Sequence, residues 1–322
     1  MDYFDLFTRS SAYNILNKDI KNKKLVHAYL IASQDVMLTN KYASFFAYGV
    51  LSGQMDNLTG VEWDKIVNRN SADVIWYPRC DKVISSDEVS DIINTSLVAP
   101  LEHDKKVMIL SDFDDMRVDN QNKLLKTIEE ANEHTVFVVL AKSIDNVIPT
   151  IRSRCQKIEL AEVNYNDMCA FLMGKVKSDY KMIASLSNGS VTEAIRLDKT
   201  NAMELMDMAV DMMMSMGRSS DAIVYSSKIL ATKNEMDFVD VLLNVLYQID
   251  KVRAFGITQT NKYSASLLAL SRAYNATCIA LIAKRINYVK RASVTNCNAV
   301  ALIDGLLMYI LEVRYKYGKN GN

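Results

Sequence analysis

Gln121-Asn122-Lys123-Leu124-Leu125-Lys126-Thr127-Ile128-Glu129-Glu130, followed after a short turn by Val136-Phe137-Val138-Val139-Leu140, sets an amphipathic helix before a buried strand. Leu124, Leu125 and Ile128 recur at helical spacing, and Asp119 stands where it can cap the helix that carries them. The second segment is a short apolar run rich in β-branched residues, the pattern of a strand covered on both faces.

Outward from this pair the same alternation continues. Short apolar, β-branched or aromatic runs at His27–Ala32, Asp73–Tyr77, Val107–Leu110, Thr135–Leu140 and Cys155–Leu160 are separated by longer helical patterns, one of them opened by a Ser85-x-x-Glu88 capping box before Val89, Ile92 and Ile93. Strand alternating with helix predicts an α/β domain with a parallel sheet and helices on its faces. After Leu160 the strand signals stop. Asn166 to Leu197 reads as a small helical unit broken at Gly189, and everything from about Thr200 onward reads as helix. Met203, Met206, Met208, Met212, Met213, Met214 and Met216 crowd one stretch, and at helical spacing they are expected in a helix-bundle core or a helix–helix interface.

Composition narrows the function classes. The 322 residues suffice for two or three domains, and 49% hydrophobic with 24% charged residues is ordinary for a soluble globular protein. No run approaches a membrane span, and the acidic, aromatic start lacks the basic end and apolar core of a signal peptide, so a cytoplasmic location is expected. Net charge is zero and the sequence pI about 6.8, which gives no electrostatic case for autonomous nucleic-acid binding. Between Lys284 and Lys319, seven basic residues (Lys284, Arg285, Lys290, Arg291, Arg314, Lys316, Lys319) face two acids, Asp304 and Glu312; a solvated helix face is the expectation there, ahead of a phosphate-contacting patch. Cys80, Cys155, Cys169, Cys278 and Cys297 are scattered without CxxC spacing and are expected as reduced thiols, with no metal site. His27 has no second histidine or cysteine near it and is expected at a strand edge, not as a ligand. Three prolines and ten glycines leave no long linker, so domains should join through short connections.

A second motif, Pro149-Thr150-Ile151-Arg152-Ser153-Arg154-Cys155-Gln156, leads into the last strand. In order and on the expected elements, the two motifs resemble the clamp-loader branch of the AAA+ family, whose signatures read N-A-L-L-K-T-L-E-E-P and I-R-S-R-C. More weakly, the resemblance covers the His27-Ala28 strand, the Asn188-Gly189-Ser190 turn and the helical C-terminal third. It implies a RecA-like AAA+ domain over residues 1–160, a three-helix lid over 161–199 and an all-α collar over 200–322 through which subunits pair into a ring.

The residues of the nucleotide site decide which role the resemblance implies. A phosphate-binding loop needs glycines, a lysine and a Ser/Thr for Mg²⁺. The corresponding stretch here is Ser33-Gln34-Asp35-Val36-Met37-Leu38-Thr39-Asn40, and no glycine lies between His27 and Gly49, so Ser33, Thr39 and Asn40 mark a degenerate loop. The family's magnesium-binding Asp falls on Ser111, its water-activating Glu on Asp112, and its lid-domain sensor arginine on Thr192. By the same resemblance Arg154, in Ser153-Arg154-Cys155, matches the arginine finger presented to a neighbour's γ-phosphate. Arg152 is left structural or as a helper, and Cys155, opening a core strand, is assigned to packing. The expectation is a chain that is no ATPase by itself, without cofactor or metal, within a DNA polymerase III assembly. Its implied partners are the gamma/tau and delta subunits of the ring and, through the ring, the sliding clamp and primer-template DNA. Many family members carry a four-cysteine zinc module in the first domain, but residues 51–73 contain no cysteine and zinc is not expected. The alternatives are an ATPase motor of gamma/tau type, a clamp-opening delta subunit and a stand-alone nucleic-acid binder.

Overall fold

The computed structural model describes residues 1–55, 58, 60–79, 83–177, 179–199, 202–257, 260–293 and 298–318. Contacts group them into two compact units, one of Met1–Lys175 with Gly189–Glu193, the other of Val176–Asn188 with Ala194 onward. The stretch expected as a lid is therefore shared between the two units.

The first unit runs α1 (Tyr3–Thr8), α2 (Ser11–Lys21), β1 (Ala28–Ala32), α3 (Val36–Ser52), α4 (Val61–Val67), β2 (Val74–Tyr77), α5 (Ser86–Leu97), β3 (Lys106–Leu110), α6 (Val118–Glu129), β4 (Thr135–Ala141), α7 (Pro149–Arg152), β5 (Gln156–Glu159) and α8 (Tyr165–Leu172). The five strands form one parallel sheet in the order β2-β3-β4-β1-β5. Leu30 stands opposite Val139 on one side and Lys157 on the other, and Ile109 stands opposite Val138. Every residue of β1, β3 and β4 is buried, which is why these strands read as unbroken apolar runs. Edge strand β5 buries only Ile158 and carries Gln156, Lys157 and Glu159, polar side chains that discourage pairing with a foreign strand.

Alternation across the pleat assigns the two faces. Leu30, Met108, Leu110, Phe137 and Val139 share a core with Val89, Ile92, Leu124 and Ile128 of α5 and α6. On the opposite face Tyr29 meets Phe46 of α3 edge-on at 4.8 Å. Each fully buried Leu or Ile is worth about 1.5–3 kcal/mol relative to exposure. α5 begins with the expected box: Ser85 Oγ accepts from Glu88 N (3.2 Å) and Glu88 Oε2 from Ser85 N (2.9 Å). α6 begins earlier than expected. Its N-cap is Arg117, without a side-chain bond, and Asp119 lies inside the first turn, where its charge favours the helix dipole. Buried Phe113 and Met116 fix that start, and the buried Gln121 amide donates to both their carbonyls (3.4 and 3.1 Å).

Two buried ionic groups pin the connection from α5 to β3. Asp73 Oδ1 accepts from Leu101 N (2.7 Å), and Oδ2 from Glu102 N (2.8 Å), His103 N (2.8 Å) and the His103 ring (2.9 Å). Burial pushes the Asp73 carboxyl up, but these four bonds outweigh it and hold it below its ordinary range. The Lys106 ammonium donates to the carbonyls of Thr95 and Val98 at the end of α5, as a cation at a helix C-terminus should.

The second unit is helical: α9 (Tyr180–Leu186), α10 (Val191–Lys199, whose first turn belongs to the first unit), α11 (Ala202–Ser215), α12 (Ser219–Ala231), α13 (Glu235–Phe255), α14 (Ser264–Ala273), α15 (Ala276–Ser293) and α16 (Ala299–Tyr317). Phe238, Leu242, Val245 and Ile249 of α13 are buried, while its buried amides Asn244 and Gln248 donate to Leu186 O (2.9 Å) and Asn188 Oδ1 (2.6 Å), satisfying acceptors at the end of α9. Met206, Met212, Met213 and Met216 are buried, so the methionine-rich stretch packs as core, with Met214 exposed. The basic run is partly used internally. Arg314 donates to the carbonyls of Met213, Met214 and Met216 at the end of α11, Lys290 pairs with Asp240 (2.7 Å) and Lys316 with Glu312 (2.6 Å). Lys319, Cys80 and Cys297 lie outside the described residues, and among these no single helix is long and apolar enough to cross a membrane.

Candidate functional site

In an open parallel sheet, ligand sites lie at the carboxyl ends of the strands where the strand order reverses. Here that place is the end of β1 beside the end of β4, with the end of β3 one strand further along. Ser33, Thr39 and Asn40 meet the distant Asp112 there around a cavity of about 10 Å³ that Val36 and Lys142 also line. Such a space holds about one water molecule. The Thr39 hydroxyl donates to Asp35 O (2.7 Å) in the first turn of α3, and Ser111 Oγ to Asn40 Oδ1 (3.5 Å). A wider cavity of about 310 Å³ opens on the β2 side, lined by Asn40, Arg69, Val83, Ser111, Asp112 and Asp115.

Lys142, directly after β4, was not singled out by the sequence. Its ammonium lies 2.5 Å from Asp115 and 3.9 Å from Asp112, while its backbone N–H donates to Asp114 (3.1 Å). The hydrogen bond to Asp115 raises the lysine above its ordinary range, against the opposing effect of burial. The carboxylates that follow β3 are thus served by a cation of the same chain. Among the described residues no group of three or more His, Cys, Asp or Glu is arranged to hold a metal ion.

Thr192 comes to the same loop through Asp35, a second residue that no motif marks. Asp35 is 5% exposed and caps α3, its Oδ1 accepting from Leu38 N (3.1 Å). It also accepts from Val191 N (2.5 Å), Thr192 N (3.3 Å), the Ser190 hydroxyl (3.3 Å) and the Thr192 hydroxyl (2.5 Å). Gly189 makes the turn at φ +75, with its carbonyl accepting from Val163 N (2.9 Å). The only sequence signal for Asp35 was its place just before an apolar helix, which reads as a cap and nothing more.

The second motif lies apart from this loop. Pro149 opens the one-turn α7, Ser153 ends it and Cys155 precedes β5. Arg154, about a third exposed, donates from Nε to Glu129 Oε2 (2.7 Å) and from Nη1 to Thr150 O (2.8 Å). That bond lowers the Glu129 carboxyl and raises the guanidinium. Because Glu129 is the last residue of α6, the two motifs touch, and the Gln121 amide oxygen accepts from Ile148 N (3.1 Å), just ahead of the second motif. Arg152 pairs instead with Asp145 (2.8 Å). Cys155 is buried in the sheet core, which pushes its thiol up to about 12, and His27 is exposed just ahead of β1.

The family model for DNA polymerase III, delta subunit, matches residues 8–164. The tau subunit of DNA polymerase III from Bacillus subtilis strain 168 is 24% identical over 256 residues, 72% of this chain and 44% of that one. The delta' subunit of the same organism is 30% identical over 103 residues, 31% of each. Curated relatives of gamma and gamma/tau type are likewise covered over only 30% to 44% of their own length. A gamma subunit-related protein from Thermotoga maritima MSB8 shares the fold, with TM-score 0.50 and 15% identity over 94% of this chain and 99% of that one. With both motifs inside the matched residues and the parallel sheet beneath them, the chain belongs to the DNA polymerase III clamp-loader family of AAA+ proteins.

Proposed function

We propose that this chain is a delta-prime subunit: a clamp-loader member that does not hydrolyse ATP and presents Arg154 to the nucleotide of a neighbouring motor subunit. The observation that carries the reading is the contrast between two places in one unit. At the end of β1 the space is about 10 Å³, whereas the second motif carries Arg154 on a short turn, its guanidinium about a third exposed and held by Glu129 and Thr150 O. Its partners would be gamma/tau and delta subunits in the cytoplasm, acting on the sliding clamp and primer-template DNA through the complex. The gamma/tau motor reading draws on the longer match to tau and is opposed by Ser33–Asn40 and Ser111; the delta reading, in line with the family description, is disfavoured by the intact Ser-Arg-Cys motif.

A planar guanidinium at a neighbour's γ-phosphate stabilises charge that develops there, an effect of roughly 10³ to 10⁵ in rate for arginine fingers. In a reconstituted ring, Arg154→Ala should leave assembly intact by gel filtration, cut ATP turnover at the one adjacent site and slow clamp loading. Lysine should rescue poorly, because it lacks the two-pronged grip on phosphate oxygens. An assembled Arg154→Ala ring that loads clamps at the unmodified rate refutes the finger.

A further inference from the structure

We infer that Asp35 is a tethered counter-anion that bolts the first turn of α10 to the first turn of α3, doing with a side chain what a bound phosphate does in ligand-dependent folds of this type. The inference rests on geometry alone and stands whichever subunit role the chain has. The first N–H groups of any helix lack intrahelical partners and form its positive end. Where a helix follows the first strand of such a sheet, that end is the usual seat of a phosphate. In this chain the seat holds a carboxylate.

The bonding goes beyond capping. A cap for α3 needs one oxygen, and Asp35 Oδ1 meets that need at Leu38 N, 3.1 Å away. The other oxygen is turned entirely to residues some 155 positions onward: Val191 N at 2.5 Å, Thr192 N at 3.3 Å and the Ser190 hydroxyl at 3.3 Å. Thr192 closes the ring by donating its hydroxyl to Oδ1 (2.5 Å) while accepting from Met37 N (3.2 Å) in the first turn of α3. Ser190 in turn caps α10 at Glu193 N (3.2 Å). Asp35 is only 5% exposed, and five donors and two helix starts face its two oxygens. The Thr192 hydroxyl is thus turned to the chain's own carboxylate.

Amide exchange on the full chain tests this, because Val191 and Thr192 N–H groups have no intrahelical acceptor and owe their protection to Asp35. Asp35→Asn keeps an acceptor for Leu38 but puts an NH₂ group in place of Oδ2. Exchange at Val191 and Thr192 should rise about tenfold or more, the scale of losing a hydrogen bond to a charged group, while Leu38 stays protected. Unchanged exchange at Val191 and Thr192, or acceleration confined to Leu38, reduces Asp35 to a cap and overturns the inference. Should Asp35→Asn not fold, Thr192→Val removes only the hydroxyl; exchange at Met37 and Val191 should then accelerate severalfold, and wild-type rates there overturn it equally.

Discussion

Replacing Gly189 with alanine places a methyl group where the turn before α10 has no space. Built on this backbone, the new Cβ lies 2.7 Å from Glu162 Cβ, 2.8 Å from Val163 O and 3.1 Å from Val163 N, against about 3.5–4.0 Å for comfortable contact. Two of those atoms are backbone, tied to residue 189 itself by the Val163 N–H to Gly189 carbonyl bond, so they cannot swing aside as a side chain does. Gly53 is the matched control: its φ is +73, against +75 at Gly189, and nothing lies within 4 Å of its would-be Cβ. The left-handed backbone alone should make Gly53→Ala cost about 1 kcal/mol. Gly189→Ala should add roughly 2 kcal/mol of overpacking, for a total of about 3. Both tryptophans, Trp63 and Trp76, lie in the unit that holds both glycines, so urea unfolding followed by tryptophan fluorescence reads the right part of the chain. With a slope of about 2 kcal/mol per molar urea, the Gly189→Ala midpoint should fall about 1 M below that of Gly53→Ala. Coincident midpoints would show that the turn is free to move and would refute the clash.

Asp73→Asn should destabilise the sheet unit by about 2–3 kcal/mol at pH 7, since one oxygen cannot serve four donors. The folded-state carboxyl lies below its unfolded value, so its contribution is complete above the unfolded value and is lost as pH falls through the folded one; the gap between variant and wild type should therefore close below about pH 4, and a gap that persists in acid contradicts the assignment. Cys155, pushed up to about 12 by burial, should alkylate with iodoacetamide at neutral pH about 10³-fold more slowly than in the unfolded chain, followed by peptide mass mapping; labelling at the unfolded rate would place the thiol outside the core.

The strands were legible because β1, β3 and β4 are buried on both faces and leave uninterrupted apolar runs, and α5 because its capping box is local. Motif position marks Arg154, Ser33, Thr39, Asn40 and Asp112 as candidates, and the roles assigned to them remain proposals. Their internal partners carry no such mark. Asp35 and Thr192 are joined across 157 positions, Asp73 serves a turn 28 to 30 positions away, and Lys142 finds Asp115 across 27. A charged residue next to an apolar strand or helix has the same local pattern whether it faces solvent or is buried against a distant donor. Asp119 shows the converse: a good local cap was passed over because Phe113, Met116 and Gln121 had already fixed where the helix begins.

The pairing of Lys142 with the carboxylates that follow β3 has a thermodynamic consequence. A fold completed by a free ligand gains stability as the logarithm of that ligand's concentration. A cation attached to the chain has no concentration to vary. The ammonium beside Asp115 and Asp112 is supplied at constant stoichiometry, whatever the surrounding magnesium. The melting temperature of this chain should accordingly be flat in divalent-ion activity at constant ionic strength, with the geometry at the ends of β3 and β4 set by the chain alone.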